Sequence, residues 1–231
     1  MIARVSTSLA CALLALAPTA AHAQTTVSGG VAAPEMVPPA QAVSASSGGL
    51  TVTAMPDQTL GEVARFSGKA PANRLVRLQR QDSKTQKWKN VARARADATG
   101  AFTARWRPNH IGPTALRAIL HTTAAPLRIM VYKPTVATWY GPGFFGNQTA
   151  CGQVLSPDIQ GVAHRSLPCG TRVAFTYNGR SIVVPVIDRG PYGVAGADWD
   201  LTQATAAALG ISATATLGAV RLRDDQAPAS R

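Results

Sequence analysis

Between residues 50 and 132 the chain is cut into short runs whose apolar side chains fall on alternate positions, a period that suits half-buried strands and not helices. The runs are residues 50–54, 75–80, 88–95, 102–106 and 116–120, with polar or basic residues filling their other face. Turn residues separate them, and Asp97-Ala98-Thr99-Gly100 is a plausible hairpin turn. A spacing of about 12 residues per strand over about 80 residues predicts a small antiparallel β-sandwich across residues 49–133.

What precedes this segment reads as export and tether. Arg4 is followed by an apolar run from Leu9 to Leu16, then by Pro18 and the small-residue triplet Ala21-His22-Ala23. That pattern predicts a secretory signal peptide over residues 1–23 and a secreted or periplasmic location. The run is far shorter than the roughly 20 apolar residues that cross a bilayer, so no transmembrane span is expected in the mature chain. A lipid-anchor reading of Leu9-Ala10-Cys11 fails because Arg4 leaves almost no apolar stretch ahead of it. Residues 24–48 are Ala, Ser, Gly, Pro and Val with Glu35 as their one charge, which predicts a flexible linker. In an exported chain the sandwich resembles immunoglobulin-like modules, although it holds no cysteine pair to pin its sheets.

Cleavage after Ala23 would remove Cys11 and leave Cys151 and Cys169 in an oxidising compartment, where a disulfide between them is the natural inference. Two catalytic or metal-binding thiols are the competing reading; no Cys or His stands at finger-like spacing around them. The four histidines are scattered, so no metal site is expected.

The formal charge of +12 is unevenly placed. Residues 49–133 carry 15 Lys/Arg against 4 Asp/Glu, and residues 134–223 carry 6 against 4. The cationic surface therefore belongs to the sandwich, where it favours anionic partners or is simply solvated. Nucleic acid is not the expected partner, because export and the lack of a nucleic-acid motif argue against it.

Residues 134–223 hold 8 of the 13 aromatic residues, many Gly and Pro, and one helical stretch running from Thr202, a potential N-cap, through Leu209 to Gly210. The tail, residues 224–231, is polar. Gly141-Pro142-Gly143-Phe144-Phe145-Gly146 has the spacing of a dinucleotide loop, but Pro142 and the missing helix make it a turn, and no cofactor is expected.

Read in order, this segment gives Trp139-Tyr140-Gly141, Thr149-Ala150-Cys151-Gly152-Gln153, Ala163-His164-Arg165-Ser166-Leu167-Pro168-Cys169-Gly170-Thr171, Ile187-Asp188-Arg189-Gly190-Pro191-Tyr192 and Asp200-Leu201-Thr202. These blocks resemble the rare lipoprotein A family, whose pattern is W-Y-G, T-A-x-G-E, A-H-R-x-L-P-x-G-T, N-D-R-G-P-[FY] and D-L-S. The resemblance implies a six-stranded double-psi β-barrel, related to that of expansins, and an all-β chain with one short helix. It also implies a role on peptidoglycan glycan strands or other anionic wall polymers, as a lytic transglycosylase in some members. A cell-wall-associated monomer is expected.

Carried over by position, the family's catalytic histidine falls on His164, its aspartate on Asp188 and its glutamate on Gln153. Gln153 departs from the pattern: a carboxamide does not titrate and can only position substrate through hydrogen bonds. That leaves two readings. One is an enzyme with Asp188 as acid/base, His164 assisting, Gln153 positioning the sugar, Asp200 as a candidate second carboxyl and the basic sandwich holding the protein on its substrate; the other is a non-catalytic, expansin-like module that grips glycan without cutting it. Asp188 serves as general acid if burial raises its pKa, or braces the turn at Arg189. His164 is either a core imidazole or a groove residue, and Asp200 either a capping residue of the following helix or a catalytic carboxyl. Tyr140, Tyr192 and Trp199, with Trp139, offer flat faces to sugar rings or fill the core; Trp139 and Tyr140 cannot both face one side of a strand.

Overall fold

A computed structural model of the chain describes residues 35–223. The expected signal peptide, residues 24–34 of the expected linker and the polar tail lie outside the described residues.

Fourteen strands and one helix make up the fold: β1 (Val43–Ser47), β2 (Leu50–Ala54), β3 (Asp57–Thr59), β4 (Ala64–Lys69), β5 (Leu75–Gln81), β6 (Trp88–Arg95), β7 (Ala101–Trp106), β8 (Gly112–Leu120), β9 (Thr123–Tyr140), β10 (Val162–Ala163), β11 (Arg172–Tyr177), β12 (Arg180–Asp188), β13 (Trp199–Thr202), α1 (Gln203–Leu209) and β14 (Ala215–Arg221). Among the described residues the chain is all-β with one short helix. No helix among the described residues is long and apolar enough to cross a membrane.

The alternating runs become two facing sheets. One has the order β1-β2-β4-β7; the other runs β6-β5-β8-β9, with β3 added parallel to β9. Inward residues of both sheets meet in one core, in which Leu50, Val52 and Phe66 pack with Val76, Leu78, Leu116 and Val131. Burying each such side chain contributes about 1.5–3 kcal/mol, so this core is what commits the period-2 runs to a sandwich.

Two strands of the first sheet escape the alternation test. β1 is Ser-rich and sits within the stretch expected to be linker. Upstream of it, Val37 and Ala40 donate backbone hydrogen bonds to the carbonyls of Ala208 and Gly179. Backbone pairing needs no apolar side chain, which is why composition missed it. β4 breaks its pattern at Gly68, where an added Cβ would meet the Thr51 carbonyl oxygen at 2.0 Å.

β9 is 18 residues long and serves both halves of the molecule. Its first part pairs with β8 and its second with β14 and β13, so the boundary expected at 133/134 falls inside a continuous strand. The second half closes a ring in the order β9-β13-β10-β12-β11-β14 and back to β9, a six-stranded barrel. Its core gathers Val162, Val173, Phe175, Val186, Leu201 and Leu209. α1 plugs one side: the Thr202 side chain accepts from the Thr205 N–H at its start, and Gly210, with φ of 78°, ends it in the left-handed conformation that glycine adopts freely.

Cys151 and Cys169 form the expected disulfide, 18 residues apart. For a loop of that length chain-entropy arguments give about 3 kcal/mol. It ties the long β9–β10 connection to the β10–β11 connection, and the Cys151 N–H beside it donates to the Ile187 carbonyl of β12.

Candidate active site

Four neighbouring strands of the barrel each place one residue on the floor of a single groove of about 560 Å³. Thr138 of β9 lies opposite Asp200 of β13, Asp200 opposite Ala163 of β10, and Ala163 opposite Asp188 of β12. Residues opposed in register share a face, so two carboxylates flank one methyl group. With strands about 4.8 Å apart, their Cα atoms stand roughly 10 Å from each other. β10 comes close to β12 because residue 161 is glycine; a Cβ there would meet the Ile187 side chain at 2.4 Å.

The two carboxyl groups are held differently. Asp188 Oδ1 accepts the backbone N–H groups of Arg189 at 2.8 Å and Ala150 at 2.9 Å. The guanidinium of Arg189 turns away, towards the Asp188 carbonyl and the Cys169 sulfur, so the turn is braced without a carboxylate–guanidinium pair. Asp200 accepts from the Thr138 hydroxyl at 2.7 Å. Burial raises its pKa above the ordinary carboxylate value; the Thr138 hydrogen bond pulls it back and the charge of Asp188 adds to the rise. Asp200 does not cap α1, because Thr202 does.

Aromatic side chains make the walls. Tyr140 and Phe144 meet edge to face at 6.2 Å, and Tyr192 stands 76% exposed at the rim. The Tyr140 hydroxyl is buried without a partner of hydrogen-bonding geometry. Burial, and then the nearby charges of Asp188 and Asp200, push its pKa well above the phenol range, so it stays a proton-bearing donor facing the carboxylates.

Three expected site residues lie elsewhere. His164 and Trp199 each follow or precede a floor residue by one position, and strand alternation turns them to the other side. There their rings pack at 4.6 Å, and Trp199 meets Phe175 edge to face in the core. His164 Nδ1 accepts the backbone N–H groups of Ser166 and Leu167, so the ring proton sits on Nε2. Burial lowers its pKa, against the opposing charge of Asp198, while Arg165 and Arg189 add to the fall. Gln153 is exposed and does not line the groove; its Oε1 accepts from the hydroxyl of Thr149, which does. Thr138 and Ala163 are floor residues that motif reading missed; only their pairings across to Asp200 and Asp188 put them there.

Residues 134–223 match the sequence model of the family described as lytic transglycolase. In these residues the chain is similar to RlpA-like double-psi β-barrel proteins. A relative in Synechocystis sp., named probable endolytic peptidoglycan transglycosylase RlpA, is 44% identical over 102 residues, which cover 43% of this chain and 32% of the relative. One of the same name in Nostoc sp. is 46% identical over 80 residues, covering 33% of this chain and 21% of its own. The matched part thus spans about a third or less of these relatives. Among solved structures, the Streptomyces papain inhibitor overlays 38% of this chain and 93% of its own at 28% identity and a TM-score of 0.28.

Within the RlpA-like barrel, no group of three His, Cys, Asp or Glu side chains among the described residues is arranged to hold a metal ion. The chemistry the groove offers is that of its carboxyl pair and the Tyr140 hydroxyl.

Proposed function

We propose that this chain is an exported protein that binds a glycan strand of peptidoglycan in the barrel groove and cleaves it as a lytic transglycosylase. The observation that carries the reading is the carboxyl pair across Ala163, one member of which, Asp200, has its pKa raised by burial. A raised carboxyl is suited to protonate a leaving oxygen, while a second carboxylate steadies positive charge on the sugar ring.

In the proposed step Asp200 gives its proton to the glycosidic oxygen and the C1–O bond breaks. The sugar's own C6 hydroxyl oxygen then bonds to C1, closing a 1,6-anhydro ring, and its proton passes to a groove carboxylate. Asp188, oriented by two backbone N–H groups, faces the developing charge. Tyr140 donates to substrate oxygen, and Tyr192 and Phe144 offer flat faces to neighbouring sugars. This chemistry asks nothing of position 153, so a glutamine there is tolerated. His164 and Trp199 support the wall from behind.

The test is to incubate the purified chain with denuded and peptide-bearing glycan strands and analyse the products by mass spectrometry. Products ending in 1,6-anhydro sugars are expected, and their loss in both Asp200→Asn and Asp188→Asn. Binding without products, or undiminished activity in both variants, would replace this reading with that of a non-catalytic glycan-gripping module.

A further inference from the structure

The solvent face of the second sandwich sheet carries a field of arginines, with no carboxylate on strands β5, β6 and β8. Arg77 of β5 stands directly opposite Arg93 of β6, and Arg95 follows on the same face one pleat along. Arg117 of β8 lies opposite Gln79, and Arg128 of β9 opposite Ala115, the same-face neighbour of Arg117. Arg77, Arg93, Arg95 and Arg128 are exposed and Arg117 half-buried. Strands β5, β6 and β8 contain no Asp or Glu; at the far edge, beyond β9, Asp57 of β3 stands opposite Met130, two residues from Arg128, and accepts from the Ser181 hydroxyl. The one ion pair among the described residues, Lys89–Asp82, sits at the end of this sheet.

Like charges directly opposed across strands cost stability, so the Arg77–Arg93 pairing is a cost that a bound anion would relieve. Guanidinium forks suit carboxylate or phosphate better than ammonium groups do. The same face also carries a sugar-binding chemistry. The guanidinium of Arg117 lies 4.2 Å over the ring of Trp88. Its Nε donates to Gln79 Oε1, and Gln79 Nε2 donates to Asn90 Oδ1, an ordered amide chain beside an aromatic face. On the other sheet the outward positions of β1 and β2 are Ser and Thr, although Arg65 and Arg105 are also opposed there. That sheet offers no comparable aromatic.

We propose that the β6-β5-β8-β9 face is a second binding surface, specific for a glycan polymer that bears carboxylates at regular intervals. Given the reading of the groove, this is the peptide-bearing glycan of peptidoglycan. β9 runs from Arg128 on this face to Thr138 on the groove floor, ten residues or roughly 33 Å of extended strand, a span that a polymer bridges and a small ligand does not. The surface holds the polymer while the groove acts on it.

Binding is read apart from cleavage by using the full chain with Asp200→Asn and sedimenting it with purified peptidoglycan sacculi. It is expected to pellet at about 0.05 M NaCl and to be released at about 0.5 M. Arg77→Glu with Arg93→Glu lowers the apparent affinity by about tenfold or more, and the uncharged pair Arg77→Gln with Arg93→Gln, the gentler variant for folding, lowers it by several-fold. Arg65→Glu with Arg105→Glu makes the same change in net charge on the opposite sheet and leaves binding within about twofold. Sacculi whose carboxyl groups have been amidated bind weakly. Equal losses from the two sheets, unchanged binding to amidated sacculi, or tighter binding to duplex DNA or to anionic vesicles would each overturn the proposal. Binding with this pattern but no anhydro products from the wild-type chain would remove the cleavage reading and leave this one standing.

Discussion

The two faces of the same barrel strands differ by one residue of register and by most of their chemistry. On one face, Asp200, Ala163 and Asp188 line an open groove with Thr138 beside them. On the other, Trp199 and His164, their immediate chain neighbours, stack on each other and close over Phe175. The family motif counts His164 with Asp188, yet here His164, just past the end of β10, lies on the side of Trp199 and does not line the groove. In this chain the groove face holds the carboxyl pair and the Tyr140 hydroxyl, and the other, rear face holds His164 and Trp199 beside Asp198.

The largest effects should separate the faces by kind of measurement. Asp200→Asn is expected to lower kcat/KM for glycan cleavage by about 10²–10⁴-fold, the range for removing a general acid. Its stability should move the other way. Because the folded pKa of Asp200 is raised, the native state binds more protons than the unfolded chain from the ordinary carboxylate range up to the raised value. Stability contributed by this group therefore falls as pH rises through that window, and at neutral pH the neutral Asn variant should melt no lower than the wild type. A lower melting temperature with activity retained would put Asp200 among the structural residues.

Trp199→Ala, one residue away, should do the reverse. Trp199 is 8% exposed and packed on His164 and Phe175, so its loss is expected to cost about 3–5 kcal/mol in denaturant unfolding. His164→Ala should cost about 1 kcal/mol, since the Ser166 and Leu167 N–H groups lose their shared acceptor in a part-buried turn. Its pH signature has the opposite sign to that of Asp200. The folded pKa is depressed, so the stability it contributes is present above the ordinary imidazole value and is lost as pH falls towards the lowered one. His164→Ala should flatten that part of the melting-temperature profile while leaving kcat/KM within about threefold, and a loss comparable to that of Asp200→Asn would return the histidine to catalysis.

Periodicity and motif exposed different halves of this molecule. Alternation located β2, β5, β6, β7 and the end of β8, because in the sandwich an inward side chain has only the core to meet. It failed for β1, whose inward face carries only Val43 and Ala45 before Ser47 breaks the pattern, and for β4, where Gly68 leaves room for the Thr51 carbonyl. In the barrel the ordered motifs carried the fold, the cap at Thr202 and the stop at Gly210 the helix, and the oxidising compartment the cysteine pair. What they left hidden was the sidedness of β10 and β13. Each is too short, two and four residues, for its own alternation to be read, so the neighbours of Ala163 and Asp200 could be assigned to a face only through their pairings with β12 and β9.

The smallest expected effect is also the most specific to the groove face. The Thr138 hydroxyl donates to ionised Asp200 and so lowers a pKa that burial raises. Thr138→Val keeps the side-chain shape and removes the donor, leaving the charged form less stabilised and the pKa higher still. Since the acid works protonated, wild-type activity should decline as pH rises through the raised pKa. In Thr138→Val that descending limb should move to higher pH. Thr138→Ser, which retains the hydroxyl, should leave the limb in place, as should His164→Ala on the rear face. If the limb instead followed His164→Ala and ignored Thr138→Val, the titrating group would belong to the rear face, and the division between the two sides of these strands would be reversed.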